Sequence, residues 1–184
     1  MGVLISMLRG VNLASRNRIK MDALRALYES LDLREPRTYV QSGNVVFKTR
    51  ERDLARLAKR IENGIERTFK FHADVVLRTP AELREAIAKN PFGARPNMDP
   101  SKMLIVFLRD DPGPNAREKV LAMKIEPEEL WIDGRQLYVY FPNGMARPKL
   151  SWAAIEKALQ TSWTGRNANS AAKLLELAEA MEEN

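Results

Sequence analysis

Two apolar runs that nearly copy one another constrain this chain more than any other feature. Val3–Arg9 reads Val-Leu-Ile-Ser-Met-Leu-Arg, and Met103–Arg109 reads Met-Leu-Ile-Val-Phe-Leu-Arg. Each has the length and apolar content of a buried strand, and each opens the same succession of patterns. After the first, Met21, Leu24, Leu27, Tyr28 and Leu31 recur at helical spacing over Lys20–Leu33. Thr38–Gln41 and Val45–Lys48 then read as two strands around Ser42-Gly43-Asn44, a hairpin signal. A helix over Glu51–Phe69, with Leu54, Leu57, Ala58, Ile61 and Ile65 on one face, and a strand over Ala73–Arg78 complete the set. After the second run come a helix over Asn115–Lys124, strands Leu130–Ile132 and Gln136–Phe141 flanking Asp133-Gly134, a helix over Lys149–Gln160 and a short strand over Ser162–Arg166. A last helix over Asn169–Glu182 has no counterpart in the first half.

The order β-α-β-β-α-β, met twice, is that of the split βαβ or ferredoxin-like unit. The expected class is therefore α+β, with two tandem ferredoxin-like units and an added C-terminal helix. Residues 1–79 form unit one. Residues 80–101, a short helix followed by a stretch with Pro91, Pro96 and Pro100, form the connection, and residues 102–184 form unit two with the extra helix. Alternation along the second hairpin places Leu130, Ile132, Arg135, Leu137, Val139 and Phe141 on a face that is apolar except for Arg135 beside the turn and is meant for helices. Trp131, Gln136, Tyr138 and Tyr140 fall on the other face, which suits a domain interface or a stacking surface.

Composition removes most catalytic classes. The 184 residues include no Cys and a single His, His72, so disulfides, thiol catalysis, zinc ribbons and multi-histidine metal sites are excluded. No metal and no cofactor is expected. No apolar run approaches the roughly 20 residues of a bilayer span, and the start lacks a leader pattern, so a cytoplasmic protein without membrane association is expected. The net charge of +6 is uneven: residues 1–79 hold 16 basic against 9 acidic side chains, and residues 80–184 hold 14 against 15. The basic excess thus belongs to the first half, where it favours anionic partners.

Three polar stretches could carry a site. Arg9–Lys20 sets Arg9, Arg16, Arg18 and Lys20 with Asn12 and Asn17 beside a helix start, which suits an anion; the same loop could be merely exposed and basic, since it lacks the glycine spacing of a phosphate loop. In the second, Gln41, Ser42 and Asn44 could converge three neutral hydrogen-bonding side chains or serve a plain turn. The third, around Arg166, Asn167, Asn169 and Lys173, is a second cationic helix start where an Asn can equally act as a cap. His72 could act as acid or base, but no nucleophile motif lies near it.

The blocks MLRGVNLASRNRIKM, TYVQSGNVVF, Asn90-Pro91-Phe92, Pro100–Met103 and TGRNANSAAKLLELA together resemble the bacterial family known as domain of unknown function 1697. The resemblance implies an α+β protein of two related halves and brings no established activity. Its motif positions fall here on Arg9, Gly10, Asn12, Lys20, Gln41, Ser42, Gly43, Asn44, Lys149, Arg166, Asn167, Asn169 and Lys173. The chain departs from the family at Ala14-Ser15, where a Gly pair is usual, at Pro148 for Ser, at Ala168 for an aromatic and at Ser170 for Thr. Losing the glycines disfavours close backbone approach to a phosphate, and losing the aromatic removes a stacking partner.

The leading expectation is a non-catalytic module that gathers Arg9, Asn12, Lys20, Gln41, Ser42, Asn44, Lys149, Arg166, Asn167, Asn169 and Lys173 into one basic cleft for a nucleotide or nucleic acid. One alternative is an enzyme acting on a small phosphorylated or acidic metabolite. Another is a scaffold that binds protein through Trp131, Tyr138 and Tyr140.

Overall fold

The computed structural model describes residues 1–183. It is a mixed α+β chain with two four-stranded antiparallel sheets. By contacts it divides into two units: Met1–Arg84 with the chain from Lys173 onward, and Glu85–Ala172.

Unit one runs β1 (Gly2–Leu8), α1 (Met21–Ser30), β2 (Arg34–Tyr39), β3 (Asn44–Thr49), α2 (Leu54–Phe69) and β4 (Val75–Arg78), with strand order β2-β3-β1-β4. Strand β1 is central, pairing with β3 through Ile5↔Val46 and with β4 through Ile5↔Arg78. Leu4, Leu8, Val45, Phe47, Val75 and Leu77 face a core closed by Leu24, Leu27 and Tyr28 of α1 and Leu57, Ile61 and Ile65 of α2. The helices follow from their sequences. Asp53 caps α2 by accepting from the Arg56 amide at 3.0 Å, and Lys70 ends it in the left-handed conformation. Tyr28 is fully buried, so its hydroxyl needs a partner; it hydrogen-bonds Ser6 Oγ at 2.6 Å, and burial pushes its pKa well up.

Strand β2 begins four residues earlier than its composition suggests and contains Pro36. An edge strand tolerates proline because one row of its amides has no ladder partner. The cost appears as a register shift between Arg34 and Arg37.

After α3 (Pro80–Ala88), opened by a reciprocal Thr79–Glu82 capping box, and a 3₁₀ turn at Pro100–Lys102, unit two runs β5 (Met103–Leu108), α4 (Pro114–Leu121), β6 (Glu129–Asp133), β7 (Gln136–Tyr140), α5 (Trp152–Leu159) and β8 (Trp163–Asn167), with order β6-β7-β5-β8. Helix α6 (Ala168–Glu182) comes last. Val106, Leu108, Ile132, Leu137, Val139 and Phe141 form the core with Val120, Ile155 and Leu159, as alternation requires. The hairpin turn itself sits one residue later than expected: Asp133 pairs with Gln136, so Gly134-Arg135 make the turn. Because both strands shift together, each side chain keeps its face.

On the other face of that hairpin the three aromatics differ in exposure. Tyr138 is fully buried and donates its hydroxyl to Ala86 O at 2.7 Å, so it offers no surface for stacking or docking. Tyr140 is half-buried against Phe92, with ring centroids 6.1 Å apart. Of the three aromatics only Trp131 stands exposed, at 48%.

Candidate functional site

In unit one the first two polar stretches meet at one end of the sheet. Strand β1 ends there, β3 starts there, and Leu8 donates its amide to Gly43 O at 3.0 Å. The join between loop and turn is the Asn12 side chain. Its Oδ1 accepts from the Ile19 amide at 2.8 Å, while its Nδ2 donates to Ile19 O at 3.0 Å and to Gln41 O at 2.7 Å. Asn17 closes the loop a second time, donating Nδ2 to Gly10 O at 3.0 Å. Val11 and Ile19 are buried, whereas residues 13–18 are exposed. Both amide hydrogens of Asn12 are therefore spent on folding the loop.

The path is strained. Asn12, Ala14, Asn17 and Val40 have φ of 54°, 51°, 52° and 49°. Asn tolerates this conformation, but for Ala and above all β-branched Val it is costly and persists only where the surroundings impose it. Gly43, at φ 76°, is required twice over: a Cβ there would lie 2.5 Å from Val11 Cγ2 and 2.8 Å from Leu8 Cβ. In the turn, Asn44 is buried and donates Nδ2 to Ser42 Oγ at 2.7 Å and Tyr39 O at 3.2 Å. The Gln41 side chain is exposed and makes no hydrogen bond among the described residues. This end of the unit also exposes Leu13 and Val40, at 65% and 51%.

Its charge is one-sided. Arg16, Arg18 and Lys20 are exposed, and among the described residues none has a carboxylate within ion-pair distance. Arg25, Lys48 and Arg84, by contrast, each hold an acidic partner. Lys20 is the N-cap of α1 and makes no side-chain cap, so the helix start is not closed by its own residue. Arg9 is half-buried and donates its amide to Asp74 O at 2.9 Å.

That last bond brings in residues the sequence did not single out together. Glu62, from α2, is 2% exposed and accepts from the Val75 amide at 3.0 Å; His72 Nε2 lies 3.1 Å from Asp74 Oδ1. One ligating atom from each of Glu62, His72 and Asp74 falls within 4.8 Å of the others, a donor set of the kind divalent cations take. No local motif announces it, because the three come from a helix, the link that follows it and the approach to a strand.

The third stretch belongs to the end of β8. Arg166 is 8% exposed and donates Nη1 to Thr164 Oγ1 at 2.7 Å and Gly165 O at 2.8 Å; burial pulls its pKa down to about 10. Asn167 Oδ1 accepts from the Ser170 amide at 2.8 Å and so caps α6, one of the two roles open to it. Asn169 is exposed without a hydrogen bond from its side chain among the described residues. Lys173, which groups with unit one, pairs with Glu176 at 2.6 Å. Lys149 has an exposed side chain, and its amide donates to Glu128 Oε2 at 3.1 Å. Thus Arg9, Asn12, Lys20, Gln41, Ser42 and Asn44 share one end of unit one, and Arg166, Asn167 and Asn169 share the start of α6.

The family model described as protein of unknown function (DUF1697) matches residues 1–138. The chain belongs to that family. The match to DUF1697 takes in the Asn12-tied loop and turn, whereas Lys149, Arg166, Asn167, Asn169 and Lys173 lie beyond it. Among curated proteins none matches the chain. The fold is similar to that of the conserved bacterial protein SP0830 from Streptococcus pneumoniae, with a TM-score of 0.68 and 17% identity over 96% of this chain and 98% of that one. At that identity the likeness concerns fold alone. No helix among the described residues is long and apolar enough to cross a membrane.

Proposed function

We propose that this DUF1697 member is a non-catalytic binding module built from two ferredoxin-like units by internal duplication, and that the loop end of unit one takes an anionic ligand, a nucleotide or a nucleic-acid strand. The duplication is supported by register: Ile5 sits between Val46 and Arg78, as Ile105 sits between Tyr138 and Arg166. The observation that carries the functional reading is the Asn12 tie, which fixes a strained loop against the Gln41–Gly43 turn and presents Arg16, Arg18 and Lys20 without acidic partners. Unpaired cations on a tied loop, beside exposed Leu13, Val40 and Gln41, suit a ligand that carries both phosphate and bases.

The test is a fluorescence-anisotropy titration with a labelled single-stranded oligonucleotide and, in parallel, a mononucleotide. Arg16→Gln with Arg18→Gln should weaken oligonucleotide binding roughly tenfold or more at low salt and reduce the salt slope by about 0.7 per lost phosphate contact. Recovered oligonucleotide should be chemically unchanged. Absence of binding to both ligands at low salt, or an unaltered slope in the double variant, defeats the reading. Arg166 is a poor probe because it is buried, so its removal reports on folding.

A further inference from the structure

The opposite end of unit one, where β1 starts and β3 stops, holds a hollow that shares nothing with the loop end. Arg34, Arg50 and Arg60 line a cavity of about 400 Å³ together with Thr49, Asp32 and Glu51. The three arginines reach it from three elements, β2, the link after β3, and α2. Among the described residues none of them forms an ion pair, although two carboxylates line the same cavity. Glu51 is otherwise engaged: its Oε1 accepts from the amides of Arg52 at 3.0 Å and Asp53 at 3.2 Å. Arg60 is the fixed member. Its Nη2 donates to Leu31 O at 3.2 Å, and its Nε is buried without a hydrogen-bond acceptor. A guanidinium held by one backbone carbonyl keeps its remaining N–H groups in a set fork, the geometry that matches two oxygens of a phosphate.

A second compartment, of about 630 Å³, adjoins the first and shares Thr49, Arg50 and Glu51 with it. Its other walls include Val3, Leu4 and Leu54, so it is largely apolar. Both volumes lie within the range of small-molecule sites. Arg50, exposed and common to both, marks the boundary between a cationic part and an apolar part.

We propose that this pair of compartments binds a small phosphate monoester with an apolar or aromatic body, the phosphate among Arg34, Arg50 and Arg60 and the body against Val3, Leu4 and Leu54. Inorganic phosphate offers the first half of that match and a neutral alcohol only the second, so neither alone fills the site. The proposal is independent of the loop end, since no residue is shared.

Isothermal titration of the full, tag-free chain with phenyl phosphate, inorganic phosphate and phenol tests it. Phenyl phosphate should bind at least roughly tenfold more tightly than either fragment, because the charged and apolar contacts add. Arg50→Gln should weaken it by roughly tenfold, whereas Lys59→Gln, an equal charge loss outside the cavity, should leave it within about twofold. Arg60→Gln serves as a second variant if its thermal melt stays that of the parent. The Arg16→Gln, Arg18→Gln protein should bind phenyl phosphate unchanged, which separates this site from the loop end. No detectable phenyl phosphate binding, equal binding of inorganic phosphate, or equal effects of Arg50→Gln and Lys59→Gln would each overturn the proposal.

Discussion

Leu8 donates its amide to Gly43 O and Arg9 to Asp74 O; in unit two Leu108 donates to Arg135 O and Arg109 to Ser162 O. The central strand of each sheet thus ends in the same backbone frame, and each then leaves for a helix. The two exits differ in length, charge and fastening. From Arg9 to Lys20 the chain carries four cations and no carboxylate, crosses four left-handed residues, Gly10, Asn12, Ala14 and Asn17, and is held by side-chain amides. From Arg109 the chain reaches α4 at Pro114 by way of Asp110 and Asp111. There Asp111 accepts from the Gly113 amide at 2.8 Å and pairs with Arg117, while Asp110 exchanges hydrogen bonds with Thr161. One copy of the frame spends its charged groups on closing a short loop. The other closes a long loop with neutral amides and leaves Arg16, Arg18 and Lys20 outward.

The two hairpin turns offer the hardest test of that contrast. In unit one Gly43 leaves no room for a side chain against Val11 and Leu8, whereas at Gly134 the nearest atom to an added Cβ is Gln136 Oε1, at 3.8 Å. Both have positive φ. Gly43→Ala should therefore cost about 2–4 kcal/mol, conformational strain plus a clash with packed atoms, and Gly134→Ala about 1 kcal/mol from conformation alone. Urea denaturation of the two variants decides it: equal losses would mean that the loop and turn of unit one are not packed as described.

A smaller effect should come from the tie itself. Asn12→Ala removes three hydrogen bonds and leaves the Ile19 amide and carbonyl to find other partners, at a cost of about 2 kcal/mol. Asn12→Asp keeps the acceptor for Ile19 N–H but loses both donors, so it should fall between the parent and Asn12→Ala. Amide exchange at Ile19 follows the acceptor directly: fast in Asn12→Ala, slower in Asn12→Asp. If exchange at Ile19 is as slow in Asn12→Ala as in the parent, Asn12 is not what holds the loop.

Much of this architecture is legible in the residues, and the exceptions have physical causes. The copied strand runs, the helical spacings and the two faces of the second hairpin all follow from burial periodicity, which each element writes into its own sequence. Strand β2 is misread at its start because Pro36 looks like a stop unless one knows the strand lies at an edge. Asn12 is recognisable as special but not as a tie, since its partners are backbone atoms, one of them at Gln41 O. Arg166 reads as a surface cation because arginines usually are; only its place opposite Ile105 on a central strand shows that it must be buried. The arginine cavity is invisible for the same reason as the Glu62, His72 and Asp74 group: its members share no spacing, only a place in the sheet.

The least effect is expected from acid, and it should appear in one loop only. The hydrogen bond from the Gly113 amide, helped by Arg117, holds the Asp111 carboxyl below the usual carboxylate range. A folded-state pKa below the unfolded one means that the unfolded chain takes up the proton first, so the stability Asp111 contributes is complete above the ordinary carboxylate pKa and is lost as pH falls through the depressed value. The side chain is half exposed, so the loss should stay under about 1 kcal/mol. The difference in urea midpoint between the parent and Asp111→Asn should therefore shrink on acidification from about pH 6 to about pH 2. The loop from Arg9 to Lys20 has no carboxylate to titrate, so the deficit of Asn12→Ala should stay constant over the same range. A pH-dependent deficit in Asn12→Ala, or a constant one in Asp111→Asn, would show that charge does not divide the two loops in this way.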